Sequence, residues 1–335
     1  MKEIAKIAGV SQSTVSRVMN GNSNVRTDVR ERVLRIAKEL EYVPNMAART
    51  LVGERSYTIG FIIPDITNPF FPEVVQSAES EITHRGYSLM LSFTGWNMRL
   101  EKERLTALRA KKVDGAIIGP LYWLDDLAED LKKTGFTSVI VGKPLPGFDS
   151  VHTDNLKGGY IAGKHLIDCG HNSIACIGPP THPKTMGFRK ALAESHVAID
   201  ERLIRLDERP GVEESWIDVG YRTTLHLLST NPRPTAILAL ADMYAVGAVR
   251  AIEEAGLRIP EDVAVVGYDD TFLASVMKPK LTSVSQQRSE MGRLAAELLI
   301  DRIEGIKAGP PVEMVLEPRL VVRESSTKIS IRPSE

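Results

Sequence analysis

Carboxylates follow three apolar segments of this chain, at positions where a sheet would expose them. Asp65 follows TIGFII, Asp242 follows TAILALA and Asp269 follows VAVVGY. In open α/β sheets, ligands bind beyond the carboxyl ends of strands, so these carboxylates are candidates for hydrogen bonds to ligand hydroxyls or ring nitrogens. Two aromatics, Phe70 and Phe71, begin the next helical segment. They either stack on the apolar face of a sugar or purine, or simply pack in the core.

A second group of residues has the side chains that bind metals. His165, Cys169, His171 and Cys176 lie within twelve positions of one another. Their spacing fits no structural zinc pattern, and Cys176 sits inside an apolar segment, where a thiol packs as a small hydrophobe. We therefore predict no metal site.

A third pattern approaches a phosphate-binding P-loop. Gly158, Gly163 and Lys164 have the required spacing, but His165 replaces the Ser or Thr that would bind magnesium. The segment also reads as a helix interior after a turn at Asn155, and not as a loop that follows a strand. Nucleophile-elbow and zinc-protease motifs are absent from the sequence, so we predict no cofactor, no catalytic residue and no enzyme activity.

The elements that must position these residues alternate along the chain from residue 58 onward. Short apolar runs rich in β-branched residues are separated by helical patterns of about ten to eighteen residues. Such alternation indicates a parallel sheet covered on both faces, and seven or more strands suit two doubly wound lobes better than one sheet. The predicted strands lie at 58–63, 87–93, 115–119, 138–142, 173–178, 235–240 and 263–268.

The N-terminal segment, residues 2–19, has the pattern of two short helices around a three-residue turn. Gly9 supplies the backbone freedom of a sharp turn, and Ser11 can cap the second helix. This is the helix-turn-helix pattern, whose second helix enters the DNA major groove; an ordinary helical hairpin is the alternative. The apolar stripes at helical spacing are Ile4, Ile7 and Ala8 in the first helix and Val15, Val18 and Met19 in the second.

Charge and the next helix strengthen the DNA-binding interpretation. Thr27 and Asp28 open a third helix, whose predicted buried face is Val29, Val33, Ile36, Ala37 and Leu40. Residues 1–57 carry a net charge of +4, whereas the whole chain carries −1. A basic head on an acidic body is expected when a DNA-binding module is joined to one that does not bind DNA. The outward face of the second helix, Gln12, Ser13, Ser16 and Arg17, suits base edges and phosphates.

Several ordered motifs together resemble the LacI/PurR (GalR) family of bacterial transcriptional repressors. They include AGVSQSTVSRVMNG, YVPNMAARTL, TIGFIIPDITNPFF and IPEDVAVVGYDD, and the resemblance runs from residue 2 to about 325. It implies a helix-turn-helix head at 1–43, a hinge helix at 44–56 and a periplasmic-binding-protein-like effector and dimerisation body at 57–335. Lobe 1 would comprise about 57–155 and 287–315, and lobe 2 about 156–286 and 316–330.

The resemblance also implies which residues meet each ligand. In the hinge, Leu51 would insert as a wedge between base steps of the minor groove; an inert linker is the alternative. The effector contacts would be Phe70, Phe71, Asp154, Lys184, Trp216, Asp242, Asp269 and Gln286. The DNA contacts would be Ser11, Gln12, Ser13, Thr14, Ser16, Arg17, Asn20, Asn24, Tyr42, Asn45, Ala48, Arg49 and Leu51.

Two positions depart from the family pattern. Lys184 stands where many members place an Arg, and a lysine cannot reproduce the two-pronged hydrogen bonding of a guanidinium. It either holds a phosphate or carboxylate, or faces solvent. Ala241 precedes Asp242 where sugar binders often have Asn. Together the two departures argue against a plain neutral hexose as the effector.

The expected protein is a homodimeric repressor that binds near-palindromic operator DNA and responds to a sugar, sugar derivative or nucleobase. Alternatives are control by a protein corepressor, and a sugar-binding protein or enzyme that does not regulate DNA. Only Cys169 and Cys176 are present, and the N-terminus has no apolar signal region. We therefore expect a soluble cytoplasmic protein without a disulfide framework or membrane partner.

Overall fold

The computed structural model describes residues 1–19, 24–40, 42, 55–119, 124–206 and 215–327. The chain divides into two compact units, Met1–Ser56 and Tyr57–Glu335. Each unit has its own core of buried apolar residues. The larger unit contains two sheets, and each sheet packs against apolar clusters of its own.

The smaller unit is helical in its described part. Its helices are α1 (Lys2–Ala8), α2 (Gln12–Met19) and α3 (Thr27–Glu39). Gly9 ends α1 at φ 62°, the left-handed conformation that favours glycine. Ser11 Oγ accepts the N–H of Thr14 at 3.1 Å, which confirms the predicted cap.

The core of this unit differs from the prediction at two positions. Ile7 is 56% exposed and Leu40 is 39% exposed, so neither belongs to the buried faces predicted for α1 and α3. The packed face of α1 is centred on Ala5, whose small side chain allows close approach, and this turns Ile7 outward. The buried core residues are Ile4, Ala5, Ala8, Val15, Val18, Val33, Ile36 and Ala37.

The larger unit contains two sheets, each flanked by helices. The first sheet has the order β11-β5-β4-β3-β1-β2 with all neighbours parallel, and it forms lobe 1. Its strands are β1 (Thr58–Ile63), β2 (Ser88–Phe93), β3 (Gly115–Ile118), β4 (Ser138–Val141), β5 (Asp149–Thr153) and β11 (Glu313–Leu316). Its helices are α4 (Phe70–His84), α5 (Met98–Ala110), α6 (Leu124–Thr134) and α12 (Arg288–Glu304).

The second sheet forms lobe 2, with the order β12-β10-β9-β8-β6-β7. Its strands are β6 (Ile174–Ile177), β7 (Ile204–Arg205), β8 (Ala236–Ala239), β9 (Ala264–Asp269), β10 (Thr282–Ser285) and β12 (Arg319–Val321). Its helices are α7 (Asn155–Asp168), α8 (Pro183–Glu194), α9 (Trp216–Leu228), α10 (Asp242–Glu254) and α11 (Phe272–Val276), with a 3-10 turn at Glu201–Leu203. Only β12 departs from the parallel arrangement of this sheet, because it pairs antiparallel with β10.

The seven predicted strands are all confirmed, each within one or two residues of its predicted bounds. The two-lobed, doubly wound architecture is confirmed as well. The chain crosses between the lobes after β5, after β10 and after β11. The three crossovers therefore lie on one side of each sheet. In the first sheet this side carries β5 and β11, and in the second sheet it carries β10 and β12.

Candidate functional site

A cavity of about 800 Å³ lies between the two lobes of the larger unit, at the carboxyl ends of the strands. A cleft of this size holds a small ligand, and polar residues that follow strands belong there. The structure brings seven of the eight predicted effector residues to its wall: Phe70, Phe71, Asp154, Lys184, Trp216, Asp269 and Gln286. Their contact with an effector stays a prediction.

Five of the aromatic rings that line the cleft form a continuous series. Phe70 and Phe71 begin α4, with ring centroids 5.1 Å apart, and Phe71 lies 6.0 Å from Trp96. Trp96 of lobe 1 lies 5.4 Å from Trp216 of lobe 2, and Trp216 lies 5.0 Å from Tyr244. Phe70 and Phe71 are also buried in the lobe 1 core, so they both pack and line the cleft. The series offers apolar ring faces that cross from one lobe to the other.

The sequence analysis missed Trp96 and Tyr244, although both line the cleft. Trp96 is held in the left-handed conformation at φ 60° by a tight loop after β2. In that loop Thr94 N–H donates to Ile63 O at 3.1 Å, and Gly95 N–H donates to Pro64 O at 2.8 Å. Trp96 lies three residues after β2, so its position near a strand end was a signal that the sequence analysis, which considered only carboxylates there, did not use.

A polar cluster forms the lobe 2 wall. Lys184, in the first turn of α8, donates from Nζ to Leu240 O at 3.1 Å. Nζ also lies 3.7 Å from Asp269 Oδ1 and 3.7 Å from the centroid of the Tyr268 ring. Gln286 Nε2 donates to the same Asp269 oxygen at 2.6 Å. Lys184 therefore points inward, which excludes the solvent-facing arrangement that the sequence left open.

Asp242 is the predicted effector residue that the structure does not place in the cleft. Its side chain is fully buried. Oδ2 accepts from the N–H and hydroxyl of Thr271 at 2.6 and 2.9 Å, and Oδ1 accepts from the Ser283 hydroxyl at 2.6 Å. Burial, together with the charge of Asp269, raises the pKa of Asp242 to about 7. Asp242 thus joins the start of α10 to β10 and to the N-cap of α11, and its neighbour Ala241 lines the cleft instead.

Hydrogen bonds tie the three crossovers to one another beside the cleft. Thr153 Oγ1 donates to Gln286 O at 2.9 Å, which joins the first crossover to the second. Asp154 N–H donates to Leu316 O at 3.0 Å, which joins the first to the third. Gln287 Nε2 donates to Glu317 O at 2.6 Å, which joins the second to the third. The side chain of Asp154 caps α7 by accepting Lys157 N–H at 2.9 Å.

The glycines of the P-loop-like segment serve helix packing. A Cβ on Gly159 would lie 1.8 Å from Lys184 O, and one on Gly187 of α8 would lie 1.8 Å from Leu156 O. A Cβ on Gly158 would lie 1.9 Å from the Tyr268 hydroxyl. As predicted, the segment is the interior of α7. Its glycines allow α7 and α8 to pack closely and leave room for Tyr268.

The candidate metal residues lie in ordinary structural contacts. His165 Nε2 is 2.8 Å from Ser326 Oγ, and His171 Nδ1 is 3.0 Å from Thr235 Oγ1. Cys176 is fully buried in β6. Within the described parts of the chain, no group of three or more His, Cys, Asp and Glu side chains is arranged to hold a metal ion. In the same parts, no helix is both long and apolar enough to cross a membrane.

The candidate DNA-binding face lies on α2 and the turn before it. Ser11, Gln12, Ser13 and Arg17 are exposed, and Thr14 and Ser16 are half-buried. Asn24 is exposed, whereas Tyr42 is half-buried and packs against the core of the head. Contacts of these residues with DNA stay predictions. The other predicted DNA contacts, Asn20, Asn45, Ala48, Arg49 and Leu51, lie outside the described residues, as does nearly all of the predicted hinge helix.

Comparison with known proteins identifies the family. Residues 1–45 match the model of bacterial regulatory proteins of the lacI family, and residues 164–326 match a periplasmic binding protein-like domain. The HTH-type transcriptional regulator DegA of Bacillus subtilis is 35% identical over 338 residues, which cover 98% of both chains. The chain belongs to the LacI family of bacterial transcriptional regulators. The predicted family and the expectation of a regulator, not an enzyme, are thereby confirmed.

Two solved structures of LacI-family proteins resemble the chain over nearly their whole length. The complex of the transcriptional regulator CelR with cellobiose has a TM-score of 0.72 and 35% identity, covering 96% of this chain and 98% of CelR. The lac repressor dimer bound to operator and the anti-inducer ONPF has a TM-score of 0.84 and 29% identity, with coverages of 97% and 98%. Both similarities extend over nearly the whole of this chain, and therefore over both of its units.

Proposed function

We propose that the protein binds near-palindromic operator DNA as a homodimer and that a sugar or sugar derivative in the cleft controls this binding. The observation that carries the proposal is the composition of the cleft wall. Aromatic rings from both lobes and a buried hydrogen-bonding cluster of lobe 2 line the same cleft. A sugar ring has apolar faces that stack on aromatics and hydroxyl groups that bond to carboxylates and amides. The bound cellobiose of CelR supports the same ligand class.

The cleft suits a two-state regulator because its ligand contacts belong to both lobes. A ligand that touches Phe71 and Trp96 on one lobe and Trp216 and Asp269 on the other favours one angle between the lobes. The bonded crossovers are where that angle changes. A near-complete switch requires a difference in effector affinity between the two states of about 5.5 kcal/mol.

The DNA side of the proposal rests on the exposed face of α2 and on the basic head. Two heads tied in a dimer gain affinity through effective concentration and require a matching pair of half-sites. We further propose that residues 44–56 form the hinge helix and that Leu51 enters the minor groove, as the family resemblance implies.

Operator binding measured with and without candidate effectors tests both parts. Selected operator fragments are titrated with the full chain in the presence of ribose, glucose, cellobiose, their phosphate esters, and purine bases. We expect at least one sugar to shift the dissociation constant for DNA by tenfold or more. Tight operator binding that no small molecule changes would contradict control through the cleft and would favour a protein corepressor.

Arg17→Ala provides the test of the DNA-binding face. Loss of this exposed cation should weaken specific binding by about 1–3 kcal/mol if it contacts a guanine edge. Lys111→Met, which removes an exposed cation of the body, is the control and should leave affinity unchanged. Equal affinity of Arg17→Ala and the parent would remove Arg17 from the interface.

A further inference from the structure

We infer that the cleft selects an uncharged effector, because Lys184 serves as the internal counter-ion of Asp269 and is not free to bind an anion. The inference rests on the proposed function, in which the cleft holds the effector. It chooses between two of the ligand classes that the family resemblance permits, neutral sugars and their phosphate esters.

Lys184 Nζ makes three contacts within the lobe 2 wall: a hydrogen bond, an ion pair and a cation–π contact. An ammonium group has three N–H bonds and no acceptor. Leu240 O takes one at 3.1 Å, Asp269 Oδ1 lies 3.7 Å away, and the Tyr268 ring face lies at 3.7 Å, within the range of a cation–π contact. Only 12% of the side chain is exposed. An incoming phosphate would have to displace one of these partners.

The partners are themselves fixed, so Lys184 has no alternative position within easy reach. Asp269 is held by Gln286 at 2.6 Å and has a left-handed backbone at φ 108°. Tyr268 is fully buried, and its hydroxyl donates to Asn155 Oδ1 at 3.3 Å. Gly158 provides the space that this hydroxyl occupies. The cation and its carboxylate therefore form a preorganised pair.

Charge balance at this wall also opposes an anion. Burial lowers the pKa of Lys184, and the negative charge of Asp269 on the same wall opposes this and stabilises the ammonium. An arginine at this position has five donors and can bond Asp269 and a ligand anion together, whereas a lysine has three. With Lys184 at this position, the cation of the wall pairs with Asp269 of the same wall.

Inorganic phosphate is the probe that tests this without knowledge of the effector. Its affinity is measured by calorimetry at constant ionic strength for the full-length parent, Asp269→Asn, Lys184→Met, the double variant and the control Lys111→Met. Removing the carboxylate frees the ammonium, so Asp269→Asn should bind phosphate at least tenfold more tightly than the parent. The double variant should lose this gain, and the parent should match Lys184→Met and Lys111→Met.

Two results would overturn the inference. The first is that the parent binds phosphate at least tenfold more tightly than Lys184→Met does. The second is that Asp269→Asn binds phosphate no more tightly than the parent, or that the double variant keeps whatever affinity Asp269→Asn gains. If Lys184→Met does not fold, Lys184→Gln replaces it, because the amide can still donate to Leu240 O.

Matched ligand pairs then separate this inference from the proposed function. Glucose is compared with glucose 6-phosphate, and ribose with ribose 5-phosphate, in the operator-binding assay. An active neutral member supports the inference, and a pair in which only the phosphate ester acts contradicts it. If no member of any pair acts, the sugar-controlled function is contradicted, while the phosphate measurements still decide the role of Lys184.

Discussion

Trp96 and Trp216 make an aromatic contact between the lobes at the edge of the cleft farthest from the crossovers. Trp96 follows β2, and Trp216 begins the first described helix after β7; β2 and β7 are the edge strands opposite the crossover strands. Four strand intervals of ~4.8 Å place this contact about 19 Å from the crossover side of each sheet. A rotation of about 10° around the crossovers would then separate the rings by about 3 Å, enough to break their contact.

The size of the effect follows from the value of an aromatic pair. Such a pair contributes about 0.5–1.5 kcal/mol beyond the area that it buries, so Trp96→Ala should shift the closing equilibrium of the lobes by roughly twofold to tenfold. The effector should dissociate faster by at least this factor, because opening of the lobes becomes more frequent and the ligand contact proposed for Trp96 is lost. As a control for correct folding of the head, Trp96→Ala without effector should bind operator DNA as the parent does.

A double-mutant cycle measures the contact itself. Urea unfolding of the parent, Trp96→Ala, Trp216→Ala and the double variant should give a coupling free energy of about 0.5–1.5 kcal/mol. The control cycle pairs Trp96→Ala with Phe272→Ala, an exposed lobe 2 aromatic, and should give a coupling below about 0.5 kcal/mol. Equal coupling free energies in the two cycles would refute a specific contact of Trp96 with Trp216 between the lobes.

Three further predictions concern the hinge, the helix packing and the buried carboxylate. Leu51→Ala should abolish operator bending and most specific affinity in gel assays, while salt-sensitive nonspecific binding persists; unchanged bending would show that residues 44–56 are only a tether. Gly187→Ala forces a methyl group against Leu156 O and should lower the free energy of unfolding by about 1–3 kcal/mol; a smaller loss would mean that α7 and α8 can separate freely. Because burial raises the pKa of Asp242 from 3.8 to about 7, the folded protein binds the extra proton between these values, and its stability should fall as pH rises through 7. Urea titrations should show a loss of about 2–4 kcal/mol between pH 5 and 8 that is absent in Asp242→Asn, and parallel profiles would refute this.

The strands that could be predicted from the sequence are those whose side chains are apolar on both faces. β5, with the sequence DSVHT, was not predicted because four of its five residues are polar, yet the whole strand is buried. Its first residue, Asp149, accepts two hydrogen bonds of 2.8 Å from Arg302, which lies 153 positions away. A hydropathy pattern cannot reveal that a distant cation will satisfy a buried carboxylate, so such strands require tertiary information.

Prediction of the cleft was limited in a similar way. A polar residue after a strand lies at the correct edge of a sheet, but neighbouring side chains decide whether it faces the ligand. Thr271 and Ser283 enclose Asp242, whereas Asp269 stays on the wall. Both residues are aspartates near the carboxyl end of a strand, and the sequence does not show that Thr271 and Ser283 will enclose one of them.

Gln286 bonds both to the cleft wall and to a crossover. Its side chain donates to Asp269 at 2.6 Å, and its backbone carbonyl accepts from Thr153 at 2.9 Å. Asp269 is thus hydrogen-bonded to the residue whose backbone carbonyl joins two crossovers. In the proposed function, a ligand hydroxyl that competes for Asp269 would change the hydrogen bonding of Gln286, and it would so act at the crossovers, where we propose that the lobe angle changes. Under this proposal, ligand binding and lobe rotation would involve the same side chain, so a small ligand could bias the lobe angle with few contacts.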